Sequence, residues 1–304
     1  NDISSLQVGE SLYTHFLDPE ANVIDDLLVY RRSGQKYLVV VNAGNDPKDW
    51  AWLNAVREGT VCIDNNRPWA KCFGSNVVLR NLKDPSEGED QRVDLALQGP
   101  TSREILLSLE LSEEAQRKIR HLRWAELTEI TAQGFPLVVA RSGYTGEREA
   151  FELFVHPDQA EAFFRLLLEK GKPFGIKPCG LGARDSLRTE AGLPLYGHEM
   201  GGELGLGVGE AGFGSYVKTN KPWFTGREAF IKREEEREGV VVRFRFNDQR
   251  VRKAHYNDPV MDERGRVIGR VTSCATDSEE FFLGQAYVDR RYAKTGSLIY
   301  IYQD

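Results

Sequence analysis

The sequence predicts an α+β protein that closes with a small all-β unit, and three observations carry that prediction. Apolar strand-like runs alternate with helix-patterned segments as far as about residue 190. Beyond Gly226 and a charged run at 232–238, short alternating runs take over, at 240–246, 266–273, 283–288 and 297–302, as in a small barrel or sandwich. A chain of 304 residues is also long enough for two or three domains and a substantial core.

The elements follow in order. Residues 23–30 (VIDDLLVY) and 37–43 (YLVVVNA) read as buried strands joined by the polar turn 31–36. Asp46 is placed to cap a helix, Pro47 suits its first turn, Trp50, Leu53 and Val56 repeat at helical spacing, and Gly59 ends it. Residues 59–92 are polar and irregular, with a loop at 83–90. The run 93–100 (VDLALQGP) is a strand ending in a Gly-Pro turn, and Thr101 opens a helix over 102–109. A strand at 136–140 runs into Gly143-Tyr144-Thr145-Gly146, and 151–155 (FELFV) is its expected partner. Asp158 is the expected cap of an amphipathic helix over 159–170 that Gly171 stops. The stretch 180–199 (GLGARDSLRTEAGLPLYGHE) pairs a short helix bearing both charge signs with an abrupt Gly192, Pro194, Gly197 exit. The glycine-rich run 201–214 has no strand leading into it, so it reads as a flexible connection and not as a dinucleotide fingerprint.

Composition narrows the function classes. A net charge of -6 argues against a broad nucleic-acid or membrane surface, while leaving room for a local basic pocket. Cys62, Cys72, Cys179 and Cys274 form no CxxC pair, which fits reduced thiols in a cytoplasmic-type compartment. No apolar run approaches the length of a membrane helix. The five histidines are dispersed without ligand spacing, so no metal site is expected. Neither a GxSxG elbow nor a Walker motif is present, and no long repeat. The chain starts at Asn1 directly in patterned sequence, so a preceding segment, with any targeting signal, is expected outside it.

Three constellations are candidates for chemistry. Asp25 and Asp26 lie inside an apolar strand, where neighbours point to opposite faces, so one carboxylate faces inward and needs a partner or a cationic ligand. The competing reading is a strand-end pair satisfied by backbone N–H groups. Tyr144, between two glycines, with Glu152 beyond it, fits either a ligand-facing ring or a hairpin with a core tyrosine. Glu190 sits at a helix C-terminus, where a carboxylate opposes the helix dipole; it either serves another purpose or pairs with Arg184 or Arg188.

Several separated motifs then resemble one family in the right order. VIDDLLVY with VVVNAGNDPKDWAWL, LALQGPTSREIL, RSGYTGE with FELFV, GARDSLRTEAGLPLYGHE, the Gly226-Arg227-Glu228-Ala229 segment and VMDERGRVIGRVTS are all similar to the T-protein, or aminomethyltransferase, family of the glycine cleavage system. The resemblance covers the chain almost from end to end and lacks only the family's opening strand and helix. It implies a three-domain cloverleaf around a central cavity, with two α+β (ferredoxin-like) domains and a C-terminal β-barrel, divided here at 1–92, 93–225 and 226–304.

By the same resemblance, tetrahydrofolate is the co-substrate and a lipoylated H-protein the carrier that delivers an aminomethyl group, giving methylene transfer and ammonia. Asp26 matches the catalytic aspartate. Tyr13 and Tyr30 match folate-contacting tyrosines, Asn42 a neighbouring asparagine, and Glu152 and Glu190 glutamates that hold the pterin; Tyr144 joins the folate-binding set. Lys218 is a candidate for an anionic group or an ordinary surface lysine. Departures from the family pattern fall at Ala21-Asn22, at the one-residue-longer loop before Glu152, in a long insertion over 59–92 and in the loop 274–282; they bear on the one-carbon donor. Two alternatives stay open, a folate-dependent demethylase of the same family acting on an N-, O- or S-methylated small molecule, and a non-catalytic folate-binding protein. The second is disfavoured because 221–228 (KPWFTGRE) lacks the cysteine of that branch's KGCYxGQ motif.

Overall fold

The computed structural model describes residues 1–71 and 76–303; Cys72 lies outside them. Its described residues form three antiparallel sheets with helices packed against them. In the first sheet, β1 (Ser11–Leu17), β2 (Val23–Arg31) and β3 (Tyr37–Val40) lie in chain order. β1 carries no strong alternation and was not anticipated. α1 (Asp46–Glu58) follows, with Pro47 in its first turn and Gly59 closing it in the left-handed conformation at φ 67°. The cap position belongs to Asn45, one residue before the expected Asp46. Its side chain makes no capping bond and instead donates its amide N–H to Asp25.

The second sheet takes the order β4-β7-β6-β5. β4 (Val93–Gln98) leads into α2 (Ser102–Leu107) and α3 (Glu113–His121), then β5 (Leu127–Ala132), β6 (Phe135–Ala140), β7 (Ala150–Val155) and α4 (Pro157–Gly171). α4 is capped by His156, whose Nδ1 accepts from the Asp158 N–H, so the expected cap Asp158 sits inside the first turn. α3 and β5 were not legible: α3 buries only Ala115 and Ile119 among charged residues.

α5 (Leu181–Ala191) ends at Gly192, and α6 (Arg227–Glu236) carries the charged run. The last sheet has the order β12-β9-β10-β11-β8, from β8 (Gly239–Arg245), β9 (Pro259–Met261), β10 (Val267–Thr276), β11 (Phe282–Asp289) and β12 (Tyr300–Ile301). Its edge strands β8 and β12 are not paired with each other among the described residues, so the sheet is open. The strand expected over 297–302 shrinks to two paired residues, too few to bridge to β8.

Apolar burial explains how the layers meet. One face of the second sheet buries Leu97, Leu137, Val139, Phe151, Leu153 and Val155 under α2, α3 and α4. Its other face brings Val138, Ala140 and Phe154 against Tyr30, Leu28, Leu38 and Val40 of the first sheet. The run 201–214 is not a flexible connection. Met200, Leu206, Val208 and Ala211 are buried, and Met200, Val208 and Ala211 pack with Leu17, Val23 and Phe230. Its hydrophobic residues are spaced by glycines, which hides a core segment from pattern reading. No helix among the described residues is long and apolar enough to cross a membrane.

Behind α5 a buried ion-pair network ties the helix to β10. Arg188 donates to Glu199 at 2.8 Å, to Asp185 at 2.6 and 2.8 Å and to Ser273 at 2.8 Å. Ser273 in turn donates to Glu199 at 2.6 Å, and the Leu195 N–H donates to the same carboxylate at 2.9 Å. The expected partner Glu190 takes no part in it.

Candidate active site

The alternation of β2 sorts its two adjacent aspartates. Val23, Asp25, Leu27 and Val29 are buried on one face, and Asp26 turns to the other, toward the second sheet. Both readings of the pair therefore apply, one to each residue. Asp25 is fully buried and satisfied by N–H donors: the Asn42 backbone at 3.0 Å, the Asn42 amide at 3.0 Å and the Asn45 amide at 2.5 Å. Asp26 opens onto the cavity. Tyr13, diagonal to it across the β1–β2 ladder, donates its O–H to one carboxylate oxygen at 2.8 Å. The Asn42 amide donates to the other at 2.9 Å. Asn42 thus links the buried aspartate to the cavity-facing one.

Burial is the main cause that lifts the Asp26 carboxyl to about 6, with the nearby charge of Asp25 adding to it and the Tyr13 and Asn42 hydrogen bonds opposing it. Burial and the Asp26 charge likewise push the Tyr13 hydroxyl well up, so it stays a donor at neutral pH. The ionised carboxylate therefore exists above about pH 6 and vanishes below it. If that form does the work, the kcat/KM profile loses about tenfold per pH unit on its acid side, with a midpoint near 6. A profile flat from pH 7 down to 5 would separate the activity from Asp26.

The opposite wall comes from β4, β7 and the loop between β6 and β7. Gly143 is needed there, since a Cβ would lie 2.6 Å from the Gln98 amide oxygen, and Gly146 holds φ at +79°. This tight path presents Tyr144, whose hydroxyl donates to the Pro194 carbonyl, and Thr145, which donates to Gln98 at 2.6 Å. Glu152 accepts from Tyr30 at 3.0 Å and from Ser142. Burial raises the Glu152 carboxyl, and these two hydrogen bonds oppose the rise. Asp94 stands on the same face of the sheet, diagonal to Glu152 through Ala96, with its side chain open to the cavity; its recessed position and the Glu152 charge raise its carboxyl.

Between these walls lies a cavity of about 2170 Å³. Its lining includes Tyr13, Asp26, Asn42, Tyr144 and Glu152, five of the seven residues singled out in the sequence. Tyr30 stands behind the wall, fully buried, and positions Glu152. Glu190 is half-buried on α5, and the helix presents Arg184 and Leu187 to the cavity instead. Lys218 donates to the Ser215 carbonyl at 2.9 Å and is also absent from the lining. Residues 76–83 of the long irregular segment do form part of the wall, whereas the loop 274–282 does not. That loop is tied down by Arg245, which binds Asp277 at 2.8 Å. Sequence reasoning missed Asp49 and Asp94. Asp94 gives no signal, because it lies on the exposed face of β4, opposite buried Leu97.

Comparison with known proteins fits this arrangement. The model of the GCVT N-terminal domain matches residues 1–221. Aminomethyltransferase from Alkaliphilus oremlandii is 34% identical over 301 residues, covering 98% of this chain and 73% of that protein. The chain belongs to the GCVT family. The aminomethyltransferase of Caldanaerobacter subterraneus subsp. tengcongensis is 35% identical over 98% of this chain and 72% of its own length. Among solved GCVT structures, the glycine cleavage system aminomethyltransferase T of Bartonella henselae superposes with a TM-score of 0.80 at 26% identity, covering all of this chain and 74% of the other. The mixed α and β content is thus that of the GCVT fold over the whole chain.

Proposed function

We propose that this chain is an aminomethyltransferase of glycine cleavage, which moves a methylene unit from an aminomethyl-lipoyl carrier to tetrahydrofolate and releases ammonia. The observation that carries the reading is Asp26, a half-desolvated carboxylate held by Tyr13 and Asn42 on the wall of a large cavity. The relatives' printed activity supports the same reading. At about 2170 Å³ the cavity exceeds the usual ~300–1,000 Å³ of a single-ligand pocket, which suits two reactants meeting in one space.

The residues present fit a reduced folate. Glu152 is the carboxylate for paired N–H donors on a pterin edge, and Tyr13 and Tyr144 offer ring surface beside it. Tetrahydrofolate, when bound, supplies the two nitrogens that take up the methylene. Asp26 would orient the amine that attacks, stabilise positive charge as the donor's carbon–nitrogen bond breaks to release ammonia and its carbon–sulfur bond breaks to release the lipoyl arm as a thiol, and hold the proton exchanged there. Tyr13 and Asn42 keep both carboxylate oxygens fixed, so its charge is preorganised. The three lobes 1–92, 93–225 and 226–304, each with its own sheet, correspond in this reading to the petals of a cloverleaf. The third supports α5 from behind rather than lining the cavity.

Calorimetry with tetrahydrofolate tests the binding half. Glu152→Ala is expected to weaken affinity by at least about tenfold, the loss of a charge-assisted pair of hydrogen bonds. Glu190→Ala is expected to weaken it less, because that side chain lies outside the wall. The reverse order would move the pterin anchor onto α5. One feature bears on a second reading, a folate-dependent demethylase of the same family: residues 76–83 of the irregular segment line the cavity that the donor must enter.

A further inference from the structure

Asp49 projects from the first turn of α1 into the acidic cluster behind Asp26. It is 1% exposed, and neither carboxylate oxygen meets a hydrogen-bond donor among the described residues. Its neighbour across the helix–sheet contact is Asp25, itself fully buried and already accepting three N–H groups. Nearby cations are engaged elsewhere: Lys83 pairs with Asp46 at 3.2 Å, and Lys48 lies over the Tyr196 ring at 3.9 Å. Two adjacent buried carboxylates without an ion-pair partner cannot both be charged, since each isolated charge carries a heavy desolvation cost. Asp25, with three donors, is the better home for the negative charge. Asp49, with none, is the better home for a proton.

We propose that Asp49 is a positioning residue, a neutral acid whose O–H donates to Asp25 and so fixes the Asn42 amide that holds the Asp26 carboxylate. The chain of contacts is continuous. The Asp49 hydroxyl restrains Asp25, Asp25 accepts from both the backbone and the side chain of Asn42, and that side chain donates onward to Asp26 at 2.9 Å. Removing the Asp49 proton would place two charges side by side and push Asp25 away from Asn42. The groups facing Asp49 act in opposite senses: Asp25 on β2 and Asp46 on α1 oppose its ionisation, and Lys48 favours it. Burial is the largest influence, and together these hold the proton up to about pH 8.

This inference uses the proposed function only for its activity readout, and infrared spectroscopy tests it without that reading. Asp94 and Glu152 also hold raised carboxyls, so the readout is the wild-type-minus-Asp49→Asn difference spectrum of the full chain at pH 7, which should contain one protonated-carboxyl C=O component that fades as pH rises through about 8. In the transfer assay, wild-type kcat should fall over the same range. Asp49→Asn, whose amide also donates to Asp25, should restore turnover at pH 7 and flatten the alkaline limb, while Asp49→Leu, with no donor, should lose about 10²-fold in kcat through displacement of Asp26. If the difference spectrum at pH 7 contains no protonated-carboxyl component, Asp49 is ionised and the proposal falls. It falls equally if Asn and Leu lower kcat alike with an unshifted pH profile, the result of a purely structural role. Absence of transfer in the wild type would count against the proposed function, and the infrared band would still decide the Asp49 proton.

Discussion

Asp26→Asn lowers turnover by about two to four powers of ten while the protein keeps its fold and its affinity for reduced folate. The side chain keeps its volume and Tyr13 still has an oxygen to donate to, while the new NH2 faces the Asn42 amide, so one of the two hydrogen bonds that fix Asp26 is lost. What disappears is the negative charge facing the reacting amine. Stability should not suffer. The folded-state value of about 6 lies above the ordinary carboxylate value of 3.8, so ionisation of Asp26 opposes folding. That opposition is fully present above pH 6 and gone below about pH 4. A permanently neutral side chain escapes it, which offsets the lost hydrogen bond from Asn42, and the Tm of the variant at pH 7 should stay close to that of the wild type. Steady-state kinetics, calorimetry and a melting curve on one preparation check all three statements. Unchanged kcat with retained binding would remove Asp26 from the chemistry.

Glu199→Ala is expected to cost about 3–5 kcal/mol of stability, the largest structural effect of any single change considered. Glu199 is fully buried and Arg188 is 1% exposed, so truncation leaves a guanidinium with only Asp185, itself half exposed, to balance it. Three hydrogen bonds to the Glu199 carboxylate go with it, from Arg188, Ser273 and the Leu195 N–H. Because these contacts join α5 to β10, the loss should loosen the last sheet from the rest of the chain. Glu199→Gln keeps the shape and part of the hydrogen bonding and should cost less. Urea unfolding measures both, and a midpoint unchanged by the alanine variant would contradict the network's structural weight.

The parts of this molecule legible in the sequence are those where local chemistry and tertiary need agree. β2 shows its strand period and its two aspartates on opposite faces, and α1 shows its proline start and glycine stop. Asn45 shows the limit: it stands at the cap position without a capping bond, and its amide donates to Asp25, a partner 20 residues away that local pattern does not reveal. α3 stayed hidden because two buried residues in a charged helix leave hardly any pattern, and β9 and β12 are too short to carry one. The cavity needed topology. Asp26 and Glu152 belong to different sheets, and only the face-to-face packing of those sheets around Tyr30 and Phe154 sets them around one space. Asp49 carries no sequence signal, since an acid near a helix start is ordinarily solvated, and only its burial beside Asp25 sets it apart. Glu190 illustrates the converse: a helix-end glutamate with a persuasive local setting, on a helix that turns Arg184 and Leu187 to the cavity.

The most direct test mixes the purified chain with tetrahydrofolate and lipoylated H-protein carrying an aminomethyl group, beside a panel of methylated small molecules as rival donors. Aminomethyl transfer predicts 5,10-methylenetetrahydrofolate and ammonia in equal amounts from the carrier alone, with the yield lost in Asp26→Asn. Product from a methylated donor and none from the carrier would contradict it.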